Sequence, residues 1–442
     1  MNRDPEATDQ SAIAMGRPAG PPAGIAPAPW AGRYLGPIIL FAYPVLTLVV
    51  RGATSAIFFV LVTVSLAYLV SRRMRRAPVG LDPAALAYAA AMASGCCAVL
   101  ASELFHWHFG SKPFDEASRL LLAVPIFLAV RISGLNPLMA LQYAFPAAAL
   151  LALCIAIVHP TYDAGGRITP DFLNSIHFGD LAVMLGFLSL FSINAVGRDA
   201  MPLLLLKCVG LAAGVYLSVR SGSRGGWIAI PILGLLWTYA YHRKQFLTRS
   251  LVALALFAGL FLCLYVFSAA TRQRFVEGVA DLAVVSQGNL DTSIGLRFQI
   301  WKAALLLFAQ NPLFGIGFDQ VPSMFQALSD AGTITPLAVK YGSAEIHDEI
   351  LGYALKYGIG GLAAMVSVYA VPLLVFRRTL GSADPTVRAA SWMGIGLTTG
   401  FFLFGLTVEI LNLKVTVTFF SLTLALLTAA ATRQSRQVGG HP

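Results

Sequence analysis

Charged residues are scarce in this sequence. Asp, Glu, Lys and Arg together make up 12% of the 442 residues, while hydrophobic residues make up 57%. A soluble protein usually carries about 25% charged residues. The shortage of charge excludes an ordinary soluble domain and predicts an all-α, polytopic integral membrane protein.

Cysteine and the common ligand-binding motifs are scarce or missing as well. The five cysteines all lie within apolar runs, which is typical of small buried side chains and not of a disulfide framework or a thiolate metal site. The sequence has no Walker phosphate-binding loop, no dinucleotide fingerprint and no pair of histidines at zinc-like spacing. We therefore expect neither a metal nor a cofactor.

Long apolar runs are what the sequence has in abundance. A membrane-spanning helix needs roughly 20 mainly apolar residues, and a window of that length predicts about twelve spans. The predicted spans are 34–50, 54–71, 82–101, 118–133, 136–158, 178–196, 201–219, 226–242, 250–269, 349–376, 386–407 and 411–431.

Basic residues mark one side of the membrane. Clusters of arginine and lysine follow the runs that end near residues 71, 242, 376 and 431, and such clusters are typical of the cytoplasmic side. An even number of spans then places both termini in the cytoplasm of a bacterial inner membrane. The same clusters account for the net charge of +10, so we expect no nucleic-acid partner.

One long polar segment interrupts the apolar pattern, and it falls on the periplasmic side of the predicted topology. We expect this segment to be mostly helical and to form a periplasmic catalytic loop. The predicted organisation is a disordered cytoplasmic N-terminus at 1–33, spans one to nine at 34–269, the loop at 270–348, spans ten to twelve at 349–431 and a cytoplasmic tail at 432–442.

Arg220, Arg224 and Arg297 are the candidate arginines on the predicted periplasmic side, where arginine is disfavoured. Arg220 and Arg224 flank a Ser-Gly-Ser stretch, and Arg297 lies within the polar segment. A guanidinium presents a planar fork of donors that suits phosphate oxygens, and a helix predicted to start at about Gly226 adds a partial positive charge. Either these arginines hold an anionic ligand, or they bind lipid head groups and pair with loop carboxylates.

His347 and Glu409 are the next candidates for chemistry. We expect His347 to open a helix whose face it shares with Leu351 and Leu355. The ordinary pKa of an imidazole, about 6.5, suits a general base at neutral pH; the alternative is a histidine that only lines a helix end. Asp348 adjoins it and equally suits a solvated helix turn. Glu409, in the last predicted periplasmic hairpin, is either a functional carboxylate or a plain interfacial residue.

These motifs together resemble those of the O-antigen ligase and O-antigen polymerase superfamily of membrane glycosyltransferases. The likeness is sharpest from about residue 220 to 362. One position departs from the family pattern, because many relatives have Asn where this sequence has Asp348. The motifs that carry the likeness are Ser223-Arg224-Gly225 at a helix start, Arg297 four residues before Trp301, Gly315 and Gly317 after Asn311-Pro312, and His347 before Leu351 and Gly358.

The ligase branch of this superfamily fits best, by its number of spans and the position of its loop. The resemblance implies a metal-independent, inverting transfer of a glycan en bloc from undecaprenyl diphosphate to a sugar hydroxyl of lipid A–core in the periplasmic leaflet. It assigns the general base to His347. It assigns binding of the diphosphate to Arg224 and Arg297, with Arg220 beside them. The supporting candidates are Asp348, Trp301 and Glu409.

Three other functions remain as alternatives. An O-antigen polymerase uses the same donor but a second lipid-linked glycan as acceptor, and a protein O-oligosaccharyltransferase uses a periplasmic protein. The remaining alternative is a transporter of lipid-linked glycans. Transporters usually bury ionisable residues at mid-membrane and often have repeated halves. This sequence has few mid-span charges and no convincing repeat, which favours chemistry at the membrane surface.

Overall fold

The computed structural model describes residues 30–75 and 81–433. In these ranges 78% of the chain is helical and no strand is present. A single isolated bridge joins Tyr162 and Ile168. The all-α class is therefore confirmed for the described residues. Most of the N-terminal segment expected to be disordered, and most of the C-terminal tail, lie outside them.

The helices follow the order of the apolar runs, with four additional helices in the polar segment. Their bounds are α1 Trp30–Thr47, α2 Ala53–Met74, α3 Pro83–His106, α4 Lys112–Ser133, α5 Leu138–Val158, α6 Ser175–Phe191, α7 Met201–Ser221, α8 Arg224–Tyr241, α9 Phe246–Phe267, α10 Ala269–Ser286, α11 Ser293–Gln310, α12 Val321–Asp330, α13 Pro336–Gly342, α14 Glu349–Thr379, α15 Pro385–Gly405 and α16 Lys414–Ala431.

Each predicted span corresponds to one of these helices. Within the described ranges, 7 helical segments are long and apolar enough to cross a membrane, and they contain α2, α3, α5, α7, α9, α14 and α16. Helices α1 and α6 are apolar but shorter. A multi-pass helical membrane protein is therefore confirmed, whereas the count of about twelve spans and the periplasmic position of the loop stay predictions.

Helices α6 and α16 form the centre of the bundle. Almost every residue of α6 is buried, including the polar Asp180, and α16 is buried along nearly its whole length. A Cβ at Gly214 of α7 would overlap the backbone carbonyl of Ala182 on α6. Small residues at such crossings let two helices pack backbone to backbone, so α7 is held directly against the central helix.

The polar segment has a small hydrophobic core of its own. Helices α10 to α13 fill most of it, as expected from the sequence. Ile300, Leu307 and Phe325 pack there with Ile346 and Leu355, and all five are nearly inaccessible to solvent. This core fixes α11 against the start of α14, so it joins the helix that carries Arg297 to the stretch that carries His347.

Helix α14 is broken at Gly358, which has φ 66° and ψ −152°. The break frees backbone groups that a neighbouring segment satisfies. Ile316 donates its N–H to the carbonyl of Leu355 at 3.0 Å, and the N–H of Ile359 donates to the carbonyl of Pro312 at 2.7 Å. A helix can be interrupted inside a bundle only when such partners replace the lost hydrogen bonds. The break therefore docks the segment between α11 and α12 onto α14.

Replacement of Gly358 tests how much the fold depends on this break. A side chain there requires a backbone conformation that is essentially restricted to glycine, and its Cβ would overlap the carbonyl of Leu313. We expect Gly358→Ala to lower the free energy of unfolding by more than ~2 kcal/mol. The measurement is the apparent melting temperature of the purified protein in detergent.

Gly360 provides the matched control, because a Cβ at that position would meet Ala98 Cβ at an ordinary 3.7 Å. Gly360→Ala should change stability by no more than ~0.5 kcal/mol. Equal melting temperatures for the two variants would contradict the role assigned to the break.

Candidate functional site

Arg224 is the first residue of α8, and Ser223 caps that helix. The Ser223 hydroxyl accepts a hydrogen bond from the N–H of Gly226 at 3.3 Å and donates one to the buried Asp180 at 2.6 Å. A Cβ at Gly226 would overlap the Ser218 hydroxyl. The small residues around Arg224 thus let the helix start pack tightly, within two residues of the predicted position.

Helix α10 lies against the Arg224 side chain. The Nη1 atom of Arg224 is 3.4 Å from a carboxylate oxygen of Asp281, and its Nη2 atom donates to the backbone carbonyl of Arg274 at 3.2 Å. Both partners belong to the polar segment. The guanidinium is therefore held at the junction between the membrane helices and that segment.

Arg297 lies on α11 close to Arg224. Its Nε atom is buried and has no hydrogen-bond partner among the described residues. Burial lowers the pKa of the Arg297 guanidinium, and the positive charge of Arg224 lowers it further. The carboxylates of Glu345 and Asp281 oppose this effect only in part. Two guanidiniums thus share one neighbourhood with unused donor capacity, an arrangement suited to an anion.

His347 does not open a helix, and the prediction that it shares a helix face with Leu351 and Leu355 is wrong. Helix α14 begins at Glu349, and Asp348 caps it by accepting a hydrogen bond from Leu351 N at 2.8 Å. His347 precedes the cap in a left-handed conformation, with φ 59°. Such a conformation is uncommon outside glycine and often accompanies a functional position.

Glu345 faces the imidazole, and the sequence reasoning missed it. Its Oε1 atom lies 3.6 Å from His347 Nδ1 and accepts a hydrogen bond from the backbone N–H of Glu409 at 2.7 Å. Burial raises the pKa of Glu345, but the facing His347 and the Glu409 N–H bring it below its usual range. The carboxylate is therefore ionised at neutral pH, and it lies between His347 and Arg297.

Glu409 is buried beneath this stretch with 2% of its surface exposed, so it is not an exposed interfacial residue. It forms an ion pair with Lys356 of α14 at 2.7 Å and accepts a hydrogen bond from the N–H of Ile346 at 3.1 Å. Glu349 in turn accepts a hydrogen bond from Leu411 N at 2.8 Å. These contacts hold the backbone on both sides of His347.

Arg220 lies in a neighbouring cavity. Its Nη1 atom donates to Ser268 at 3.0 Å, and its side chain lines a space of ≈ 150 Å³ together with Arg167 and Arg274. Arg224 and Arg297 do not line that space. The charges of Arg224 and Glu345 both act on Arg297, and Glu345 faces His347. That Arg224, Arg297 and His347 serve one site, and that Arg220 binds the same diphosphate, stay predictions.

Trp301 lies about one turn beyond Arg297 on α11. Its ring packs edge-on against Phe298 with centroids 6.0 Å apart, and its buried Nε1 has no hydrogen-bond partner among the described residues. In the described part of the chain, no group of three or more His, Cys, Asp or Glu side chains is arranged to hold a metal ion. Metal independence of the reaction stays a prediction.

The residues that the sequence reasoning missed differ in how strong a sequence signal they carry. Glu345 lies two residues before His347, so the sequence alone could have suggested a carboxylate next to the candidate base. Asp281 and Arg274 carry no comparable signal, because only the packing of α10 brings them to Arg224. Arg167 likewise precedes α6 in the chain and reaches Arg220 only through the fold.

Fold and site together define a multi-pass helical membrane protein with a basic, partly buried site where the bundle meets a helical polar segment. Residues 209–366 match the family model described as O-antigen ligase. This match confirms the family resemblance inferred from the sequence, and the matched segment contains Arg220, Arg224, Arg297 and His347. The family comprises membrane enzymes of ligase and polymerase type and implies glycosyltransferase-like activity.

Two curated proteins are similar to this chain. An uncharacterized protein of Haemophilus influenzae is 24% identical over 292 residues, which cover 65% of this chain and 71% of that protein. An O-antigen ligase of Escherichia coli K12 is 21% identical over 216 residues, which cover 45% of this chain and 50% of that protein. The chain thus aligns with about half the length of the named ligase.

Removal of the Glu409 carboxylate tests whether it holds the His347 stretch. Glu409→Ala leaves the buried Lys356 charge unpaired and the Ile346 N–H without its acceptor. Breaking a buried ion pair on one side costs about 3–5 kcal/mol. We expect a lower melting temperature and faster amide hydrogen exchange across residues 343–350.

Lys356→Met in the Glu409→Ala background supplies the control. It removes the unpaired charge, so it should recover most of the melting temperature. It does not restore the acceptor for Ile346, so exchange across 343–350 should stay fast. A double variant as unstable as Glu409→Ala alone would contradict this account of the pair.

Proposed function

We propose that this protein is an O-antigen ligase that transfers a glycan from undecaprenyl diphosphate to a sugar hydroxyl of lipid A–core. The proposal is supported by a series of neighbouring groups inside the segment that matches the ligase family: the charges of Arg224 and Glu345 both act on Arg297, and Glu345 faces His347. The reaction needs positive charge for the leaving diphosphate and a base for the attacking hydroxyl.

Arg224 and Arg297 supply the charge. Each guanidinium can donate two parallel hydrogen bonds to phosphate oxygens. At a separation of ~4 Å and an effective dielectric constant of ~20, one such charge pair is worth about 4 kcal/mol before the cost of desolvation. This attraction grows as negative charge develops on the departing diphosphate, so it favours the transition state. The two guanidiniums take the place that a divalent cation has in many transferases.

His347 supplies the base. The Glu345 carboxylate lies 3.6 Å from Nδ1, which is close but beyond hydrogen-bond distance. Its negative charge favours the tautomer that carries the proton on Nδ1 and leaves Nε2 with a free lone pair. Nε2 removes the proton from the acceptor hydroxyl while its oxygen attacks the anomeric carbon. The bond from that carbon to the diphosphate oxygen breaks, and the diphosphate leaves with the electron pair. A single displacement of this kind inverts the anomeric centre.

An apolar cavity supports a lipid-linked donor. It measures ≈ 340 Å³ and is lined by apolar side chains of α6, α7, α8 and α9, Phe187, Leu211, Ile230 and Phe257 among them. Ile230 lies six residues after Arg224 on α8, which is ~9 Å along the helix axis. A diphosphate at Arg224 thus has an apolar space within reach of its prenyl chain. The membrane would hold both lipid-anchored substrates in one plane, so the two need to diffuse in only two dimensions to meet.

The proposal includes a location and a topology. The reaction takes place at the periplasmic face of the bacterial inner membrane, with residues 270–348 as the catalytic loop and both termini in the cytoplasm. The distribution of basic clusters at the opposite helix ends supports this orientation.

The first test replaces the proposed base. We expect His347→Asn to reduce transfer by about 10²–10⁴-fold, the range that general-base catalysis supplies. Asn is chosen because it tolerates the left-handed backbone conformation of this position, so the protein should keep its melting temperature. The measurement is transfer from a purified lipid-linked glycan to lipid A–core.

His159→Asn is the matched control, since His159 is exposed beyond the end of α5 and should tolerate the change without loss of activity. Offering a second lipid-linked glycan and a periplasmic protein as acceptors separates the alternatives. Sugar on lipid A–core supports a ligase, a ladder still attached to undecaprenyl diphosphate supports a polymerase, and labelled protein supports an O-oligosaccharyltransferase. Near-normal transfer by His347→Asn would remove the general-base assignment.

The second test concerns Glu345 as a positioning residue. In Glu345→Gln the amide oxygen can still accept from the Glu409 N–H, but no negative charge faces His347. We expect kcat to fall by about 10- to 100-fold, as for loss of a group that orients a functional histidine, while KM and the melting temperature change little. Steady-state kinetics at saturating acceptor measure the changes in kcat and KM separately.

Asp330→Asn removes a carboxylate from the exposed end of α12 and serves as the control. A parallel fall in kcat and melting temperature for Glu345→Gln would indicate a purely structural carboxylate, and an unchanged kcat would reject its positioning role.

A further inference from the structure

A second basic cavity lies beside the candidate site. It measures ≈ 150 Å³, and the guanidinium-bearing residues Arg167, Arg220 and Arg274 all line it. They come from three separate parts of the chain: the stretch before α6, the last turn of α7 and the first turns of α10. We refer to this space as the triple-arginine cavity. Because the cluster is built from distant segments, it is a feature of the fold and not of local sequence.

The charges in this cavity do not balance. Asp163 pairs with Arg167 at 2.6 Å, and Glu277 pairs with Arg274 at 2.8 Å. No carboxylate among the described residues lies within ion-pair distance of Arg220, whose Nε is buried without a hydrogen-bond partner in that part of the chain. Three guanidiniums and two carboxylates leave one positive charge in a partly enclosed space.

Gly222 keeps the cavity open. It has a φ of +68°, and a Cβ there would lie 3.2 Å from Arg167 Cδ and 3.3 Å from Arg274 Nε. Any larger residue would push these side chains aside. The absence of a side chain lets both arginines approach the end of α7, so that their donors can face one small ligand together with Arg220.

Helix α10 contributes to this cavity and to the first site at successive turns. Arg274 and Glu277 of α10 line the triple-arginine cavity, whereas Asp281, about two turns further on, contacts Arg224 at 3.4 Å. Arg224 and Arg297 do not line the cavity. Arg274, Glu277 and Asp281 share one face of α10, so the two basic clusters follow each other along that face, and each contains a guanidinium with an unused buried donor.

We propose that the triple-arginine cavity binds one phosphate group, in addition to the diphosphate assigned to Arg224 and Arg297. Planar guanidinium forks match phosphate oxygens, and a cavity of ≈ 150 Å³ has room for a compact oxyanion. The phosphate group belongs either to the head group of a membrane lipid or to a soluble phosphate. This inference uses no step of the proposed transfer reaction.

The test measures phosphate binding in an Arg297→Gln background, which weakens the first site. The protein is reconstituted in phosphatidylcholine vesicles with or without phosphatidic acid, a phosphomonoester lipid, and native mass spectrometry of the extracted protein measures the retained lipid. A second arm titrates inorganic phosphate in phosphatidylcholine alone and follows thermal stabilisation. Arg220→Gln and Arg274→Gln are each added to the background. Arg272→Gln, an exposed arginine on the same helix, is the matched control.

We expect phosphatidic acid or inorganic phosphate to bind in the background and in the Arg272→Gln protein. Arg220→Gln and Arg274→Gln should each weaken that binding about tenfold, the effect of losing one charge-assisted hydrogen bond. Retention of the lipid without an effect of free phosphate identifies the lipid as the source, and the reverse identifies a soluble phosphate.

Loss of all binding in the Arg297→Gln background would overturn the inference, and so would an equal loss in Arg272→Gln. Two separate cavity variants are used so that misfolding of one does not decide the result. Size-exclusion profiles check that each variant is folded. A negative result in the His347 transfer test does not change these binding outcomes. The proposed function and the proposed phosphate site are therefore tested independently.

Discussion

The buried ion pair between Lys356 and Glu409 is the contact on which the rest of the site depends. Two opposite charges in a low-dielectric interior compensate each other's desolvation only when their geometry is maintained. The carboxylate oxygen of Glu409 that does not face Lys356 accepts a hydrogen bond from the N–H of Ile346. The backbone N–H of Glu409 donates to the carboxylate of Glu345. The pair therefore fixes the backbone before α14 and holds His347 in its left-handed conformation.

The polar segment is held in place from two directions. Its own hydrophobic core carries Arg297 on α11 and includes Ile346 next to the imidazole, while the break at Gly358 docks the following stretch onto α14. Helix α10 contacts Arg224 through the Arg274 carbonyl and the Asp281 carboxylate. The proposed ligase site thus lies where three independently anchored elements meet, and a lipid diphosphate entering from the bilayer would contact all of them.

Local chemistry made part of this site predictable. The helix start at Arg224 follows from a serine cap and two glycines, and the arginines stood out because their sign opposed the expected sidedness of the membrane. Where prediction failed, tertiary contacts had overridden the local pattern. His347 was expected on a helix, yet Asp348 takes the cap and the chain turns before it. Arg220 was grouped with its neighbour in sequence; its side chain lines a separate cavity, and its assignment to the diphosphate stays a prediction.

The sequence by itself determined the helical membrane class, the position of the polar segment and the identity of the candidate base and arginines, because hydropathy and residue chemistry are local properties. The tertiary structure alone decided which of these groups meet. Glu345 becomes a partner of His347 because Glu409 anchors the Glu345 carboxylate and the Ile346 N–H, both just before the histidine. Arg167, Arg220 and Arg274 form a cavity because three distant segments converge. Long-range packing sets such distances, and no local pattern encodes them.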